Sequence, residues 1–203
     1  MHIPPGMWYY ARDEQFWKNE SMDDFLELLT RYQDKIFIVL GAHVHSGEVR
    51  APQSFLNKDL TNITIMMTPG VAPIFNNNPG YTIIDLDSET QTIKHLYWRF
   101  FQLQEYFVLR LDNFISVNPH EAFGINLNKA STVLAYANRL KNDKNQYAEY
   151  LLTKMGFRQA LAKVGSVVYP FLQNWITVYE QANFVCGMLN YEYEAYKACL
   201  MTQ

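Results

Sequence analysis

The sequence predicts an α/β fold followed by an all-helical C-terminal region. Three observations carry that prediction. An amphipathic stretch, MDDFLELLTRYQDK (residues 22–35), runs into a continuous apolar segment ending in glycine, KIFIVLG. Two segments of strand character, YTIIDLD and TIKHLYW, flank the turn-forming Asp87-Ser88-Glu89-Thr90. From about residue 99 onward, helical patterns replace strand patterns.

Residues 22–35 place Phe25, Leu28, Leu29 and Tyr32 on one helical face. Asp23 and Asp24 suit the first turn of that helix, and Arg31 and Lys35 suit its last. KIFIVLG reads as a buried strand at the centre of a sheet, because it shows no polar alternation. Three further strands are expected in VRAPQSF, NITIMMT and YTIIDLD, the last forming a hairpin with TIKHLYW. PGVAPIFNNNPG, rich in proline, glycine and asparagine, reads as a long ordered loop. Helices are expected at about 99–112, 128–140, 143–155, 157–168, 171–186 and 188–200, with breaks at Gly156 and Pro170. Asn118 caps a further helix start, with Pro119 at its first position. Tyr179, Tyr191, Tyr193 and Tyr196 are expected to pack in a core or interface.

The chain has 203 residues, of which 49% are hydrophobic and 15% aromatic, enough for a substantial core. A net charge of −3 without any basic run argues against nucleic-acid binding. The longest clean apolar run, IFIVL, is far too short to span a membrane, so no transmembrane segment is expected. Nor does the N-terminus show the charged and apolar regions of a signal peptide. Asn19-Glu20-Ser21 and Asn62-Ile63-Thr64 are candidate glycosylation sites at Asn19 and Asn62.

Cys186 and Cys199 are the two cysteines. On one straight helix they would stand about 20 Å apart, whereas a disulfide requires Cα atoms within about 7 Å. A bend at Gly187 or Asn190 would allow a bridge. Two reduced, half-buried cysteines are the simpler reading of the residues alone.

Chemistry concentrates in His2, His43 and His45. His2 opens H-I-P-P-G, where Pro4 and Pro5 stiffen the chain and Gly6 frees a turn. His43 and His45 follow the KIFIVLG strand at its carboxyl end, where open α/β sheets build their sites. In extended backbone they would point to one side with Cβ atoms roughly 6–7 Å apart. That spacing can chelate one metal with some bending and more naturally suits two metals about 3.5–4 Å apart, with one imidazole on each. Taken alone, H-x-H reads first as two partly exposed loop histidines. His95 and His120 receive no role.

The order H-I-P-P-G, helix, buried strand, G-A-H-V-H-S-G-E, then T-P-G-V-A-P-I-F-N-N-N-P-G-Y and a hairpin resembles the C-terminal half of calcineurin-like metallophosphoesterases. It is most similar to the branch of acid sphingomyelinase and the acid-sphingomyelinase-like phosphodiesterases. The resemblance implies the second half of a four-layer αββα sandwich over residues 1–98, and a helical C-terminal region over 99–203. It implies His2 and His43 as ligands of one metal and His45 as ligand of a second, with zinc favoured. It also implies a Cys186–Cys199 disulfide, a phosphodiester or phospholipid substrate, and a secreted or lysosomal location.

Met1 stands where that family has glycine, and Ala42 separates Gly41 from His43. The family's D-x-H, G-D-x-x-D and G-N-H motifs do not occur in these residues. The bridging carboxylate and the acid for the leaving group would therefore be missing. The resemblance thus implies a partial phosphodiesterase, inactive as an isolated chain, either cut from a longer protein or degenerate. A non-catalytic lipid- or partner-binding protein that keeps half the fold is the alternative, and a mononuclear zinc site on the three histidines is a third reading.

Overall fold

The computed structural model describes residues 1–8, 14–51, 63–75, 77–110, 113–156 and 178–202, and it shows a mixed α/β chain. Three small sheets occur among the described residues. The first is a two-stranded ribbon of β1 (Met7–Trp8) and β2 (Glu14–Gln15).

The second sheet has the order β3-β5-β4, from β3 (Ile38–Gly41), β4 (Glu48–Arg50) and β5 (Thr64–Met67). β3 runs parallel to β5, pairing Ile38 with Thr64 and Gly41 with Met67. β4 runs antiparallel to β5 on its other side. The NITIMMT strand therefore holds the centre, and the KIFIVLG strand is half-buried beside it, with Leu40 45% exposed. Both are apolar runs, and periodicity alone does not rank them. β5 wins the centre because both its faces are covered. Ile65 and Met67 join a cluster with α1 (Asn19–Arg31), and Met66 joins the main core. Of the VRAPQSF strand, Val49 and Arg50 lie in β4, and Pro52–Phe55 fall outside the described residues.

α1 begins three residues earlier than the amphipathic pattern suggested. It buries Met22, Leu26 and Leu29, with Phe25 partly buried against the same cluster. These positions follow i, i+3, i+4, i+7, the spacing of the expected stripe moved three residues toward the N-terminus. Leu28 and Tyr32, expected on the buried face, are exposed.

The third sheet has the order β6-β7-β8: β6 (Gly80–Asp87), β7 (Thr92–Phe101) and β8 (Phe114–Val117). β6 and β7 form the expected hairpin, with Thr82 opposite Trp98. The Asp87 carboxylate accepts the backbone N–H groups of Glu89 and Thr90, both at 2.9 Å, which fixes the turn. Strand structure continues past residue 98, contrary to the all-helical expectation. The inward alternation of Leu96, Trp98 and Phe100 runs on in phase, and β8 pairs with that extension. The helix expected at 99–112 shrinks to α2 (Leu103–Leu109).

Beyond this sheet, α3 (Pro119–Phe123) starts at Asn118 as predicted, its side chain accepting from His120 N–H at 2.9 Å. α4 (Ala130–Asn142) and α5 (Lys144–Lys154) follow, with Asp143 capping α5 through Asn145 N–H at 2.9 Å. Gly156 ends this pair with φ of 86°, and a Cβ there would lie 2.3 Å from the Phe100 ring. The helix expected at 157–168 and the break at Pro170 fall outside the described residues.

α6 (Val178–Leu189) and α7 (Tyr193–Leu200) close the described chain. Cys186 and Cys199 form a disulfide between them, with Cα atoms 5.7 Å apart. The bend lies at Asn190, whose backbone N–H and side-chain amide both donate to the Cys186 carbonyl at 2.9 Å. Gly187 stays inside α6. Tyr191 and Tyr196 are fully buried, as the aromatic tail suggested. The main core joins Val49 and Met66 to Trp98, Phe100, Val133, Leu140, Tyr150 and Phe184. Among the described residues no helix is long and apolar enough to cross a membrane.

Candidate metal centre

The three histidines of the sequence motif sit where two chain corners meet at the carboxyl end of β3. Met1 and His2 lie along the outer edge of β3: the Met1 ammonium donates to the Leu40 carbonyl at 2.9 Å, and Ala42 N–H donates to the His2 carbonyl at 3.0 Å. Pro4, Pro5 and Gly6 then turn into the interior, where Gly6 adopts φ of 97°. Glycine takes that conformation without the steric cost of a side chain.

The second corner spans Ala42–Gly47 and arches over the end of β5, because β3 and β4 flank β5 on opposite sides. An extended segment would overshoot that crossing, and the extended geometry expected for H-V-H does not occur. His43 and His45 instead have φ of 72° and 56°. Val44 N–H donates to the Ala42 carbonyl at 2.9 Å, closing a γ-type turn centred on His43. Left-handed conformations at non-glycine residues cost of order 1–2 kcal/mol each, and such strain collects at functional sites. Val44, between the two histidines, is buried and anchors the arch.

Buried charge ties the arch to the rest of the molecule. Glu48, Arg50 and Lys154 are each fully buried. Glu48 accepts from Arg50 Nε at 2.7 Å and from Lys154 Nζ at 2.9 Å. Arg50 Nη1 also donates to the Pro5 carbonyl at 3.0 Å and the Met7 carbonyl at 3.3 Å. One guanidinium thus links β4 to the H-I-P-P-G corner, and Glu48 links both to α5. The sequence offered no signal for this network, since charged residues in a short strand ordinarily face water.

His2 Nε2 and His43 Nδ1 lie 3.3 Å apart, with the rings at 82°. Two nitrogens bound at about 2.0–2.1 Å to one tetrahedral metal lie about 3.3–3.4 Å apart, so this separation fits a shared ion. Phe16 places its ring against His43 at 5.6 Å and is stacked on Trp8 at 5.8 Å. Desolvation, and then the charges of His2 and His45, lower the His43 pKa below its usual value. That favours the neutral imidazole a metal requires.

His45 turns the other way. Its Nδ1 lies 2.8 Å from the Ala72 carbonyl, which can only accept, so Nδ1 carries the proton and Nε2 the lone pair. This backbone-oriented tautomer is typical of metal-binding histidines. Phe75 packs edge-on against the ring at 5.2 Å, and a Cβ on Gly70 would come within 2.6 Å of it. The loop PGVAPIFNNNPG thus holds His45 through Gly70, Ala72 and Phe75. Position 70 admits only glycine without moving that ring.

Among the described residues, no group of three or more His, Cys, Asp or Glu side chains is arranged to hold a metal. The histidines therefore divide into a pair and a single. Asn19 is exposed at the first residue of α1, and Asn62 falls outside the described residues. His95 and His120 are both exposed. No protein-family model matches the chain, and no curated protein matches it. Its chemistry is therefore read from this geometry.

Proposed function

We propose that His2, His43 and His45 are the imidazole side of a dinuclear metal centre and that the chain carries part of a metal-dependent phosphodiesterase. The observation that carries this reading is the 3.3 Å separation of His2 Nε2 and His43 Nδ1 beside an independently oriented His45 Nε2. The first pair would hold one ion, zinc being favoured, and His45 the second. Bound there, two divalent ions would supply charge to a phosphate and activate a water. The protein's own part is to aim three imidazoles, with Phe16 packed against His43 and Phe75 against His45. The finer architecture in this reading is the second half of an αββα sandwich with a helical C-terminal region. The substrate class is a phosphodiester, phospholipids included, and the disulfide fits a secreted or lysosomal setting.

Catalysis also needs a bridging carboxylate and an acid for the leaving group. No such group stands with the histidines among the described residues, so the chain alone should be inactive or nearly so. Zinc titration followed by calorimetry tests the reading, together with hydrolysis of bis(p-nitrophenyl) phosphate. One zinc bound per chain, lost in His2→Ala and His43→Ala, with little hydrolysis, is expected. Absence of histidine-dependent zinc binding would overturn it.

One observation favours the second reading, a non-catalytic lipid- or partner-binding protein. Val71, Ile74 and Phe75 are 76%, 66% and 50% exposed on the loop that holds His45. Apolar side chains clustered at a loop tip suit contact with a lipid or protein surface. Co-sedimentation of the metal-free chain with phosphatidylcholine vesicles, abolished by Ile74→Asp, would favour this reading over the first.

A further inference from the structure

The turn between α6 and α7 closes over one of the two corners that carry the histidines and shares a buried cluster with the other. Tyr191 is fully buried in this turn. A Cβ on Gly6 would meet its ring at 3.1 Å, so the ring closes over the left-handed residue of H-I-P-P-G. Tyr191 also belongs to the buried cluster that contains Val44, the residue between His43 and His45. Met7, next to Gly6, packs with Cys186 and Tyr196. The Cys186–Cys199 disulfide joins α6 to α7 behind this contact, and the Tyr196 hydroxyl donates to Asn183 Oδ1 at 2.9 Å. The Tyr191 hydroxyl has no hydrogen-bond partner among the described residues. The contact of Tyr191 with Gly6 is made by the ring.

We infer that Tyr191, held by the Cys186–Cys199 bridge, is a positioning residue that sets the separation of His2 and His43. The inference rests on the reading of that pair as ligands of one metal. The two imidazoles stand on separate chain segments, so their distance depends on how the two corners are held together. A metal tolerates ligand distances only within about 0.2 Å. A ring that touches Gly6 and shares the Val44 cluster constrains both corners at once. The disulfide keeps that ring from withdrawing with the end of α6.

Zinc affinity of the full chain tests this. Tyr191→Ala and the double variant Cys186→Ala/Cys199→Ala should each weaken zinc binding by about ten-fold or more, the usual effect of removing support behind a ligand. Tyr191→Phe should bind within about two-fold of the unmodified chain, because it keeps the ring that touches Gly6. Leu140→Ala removes an equally buried side chain of the main core and should lower stability with affinity retained, which separates positioning from general loosening. Should Tyr191→Ala not fold, Gly6→Ala replaces it: a methyl there strains the left-handed backbone and meets the Tyr191 ring and Arg50 Nη1, each at 3.1 Å, and should weaken zinc binding similarly. Zinc binding that depends on His2 and His43 but is unchanged in Tyr191→Ala, Gly6→Ala or the cysteine variant would overturn the inference alone. Zinc binding indifferent to His2→Ala and His43→Ala would remove both the reading and the inference.

Discussion

Two chain reversals, the arch at Ala42–Gly47 and the hairpin turn at Asp87–Thr90, solve the same problem by opposite means. The hairpin turn is exposed, and one carboxylate satisfies its free backbone N–H groups at ordinary cost. The arch spends two left-handed histidines, a γ-type hydrogen bond and a buried ionic network to cross the end of one strand. A turn needed only for connectivity takes the low-energy solution. The arch has to cross the end of β5, and the costly geometry it adopts there also sets the directions of two imidazoles.

The largest effect should come from removing the charge beneath the arch. Glu48→Ala leaves two cations buried with their shared carboxylate gone, and breaking such a group costs about 3–5 kcal/mol. Urea denaturation should show most of the chain's stability lost. A loss below about 1 kcal/mol would mean that the arch does not depend on the network.

Next comes Gly47→Ala. A Cβ there would lie 2.4 Å from the Trp98 indole, so that core ring or the arch must shift. Overpacking of this kind costs about 1–3 kcal/mol. Thermal unfolding measures the loss, and the His2–His43 separation, followed through zinc affinity, should change with it.

What the sequence disclosed follows the same division. The hairpin, the Asn118 cap and the helix expected at about 143–155 were legible because side-chain alternation, helical periodicity and caps act over a few residues. That His2 and His43 come together was legible because motif order survives without coordinates. The left-handed backbone of His43 and His45 was not legible, since it follows from β3 and β4 lying on opposite sides of β5, a fact of topology. Nor was the exchange of central and edge strands, because Ile36–Leu40 is the cleaner apolar run, Thr64 interrupting Ile63–Met67, and yet β5 is the strand paired on both sides. The burial of Glu48, Arg50 and Lys154 depends on partners 106 positions apart, Lys154 and Glu48, which no local pattern marks.

A third test concerns strain directly. His43→Gly should be more stable than His43→Ala by ~1 kcal/mol, since glycine accepts positive φ freely, while both lose zinc. Equal stabilities would show that the left-handed backbone costs nothing. His43 also sets a pH window. Its pKa is lowered in the folded chain, so below its ordinary value of 6.5 the unfolded chain binds more protons. Stability is full above that pH and declines as pH falls through 6.5 toward the folded value. Denaturation midpoints between pH 7.5 and 5 should show the decline, and His43→Gly should reduce it.

The smallest effect belongs to the hairpin. The backbone N–H of Thr90, followed by its hydroxyl and the N–H of Glu89, lowers the Asp87 pKa below its ordinary 3.8. Its contribution is present above that pH and is lost as pH falls through the folded value. Asp87→Ala should therefore differ slightly from the unmodified chain near neutrality and converge with it in acid. A large effect at pH 7 would make the hairpin turn more like the arch than its geometry suggests.

The ammonium of Met1 on the Leu40 carbonyl has a practical consequence for anyone producing this chain. An amide N–H in the same place can make the same hydrogen bond, so residues fused ahead of Met1 would be led along the exposed border of β3. An affinity tag placed there would compete for that border and stand within reach of His2. A histidine tag would add foreign imidazoles beside the pair whose metal binding is to be measured. The tag belongs after Gln203, beyond the exposed Met201 and Thr202.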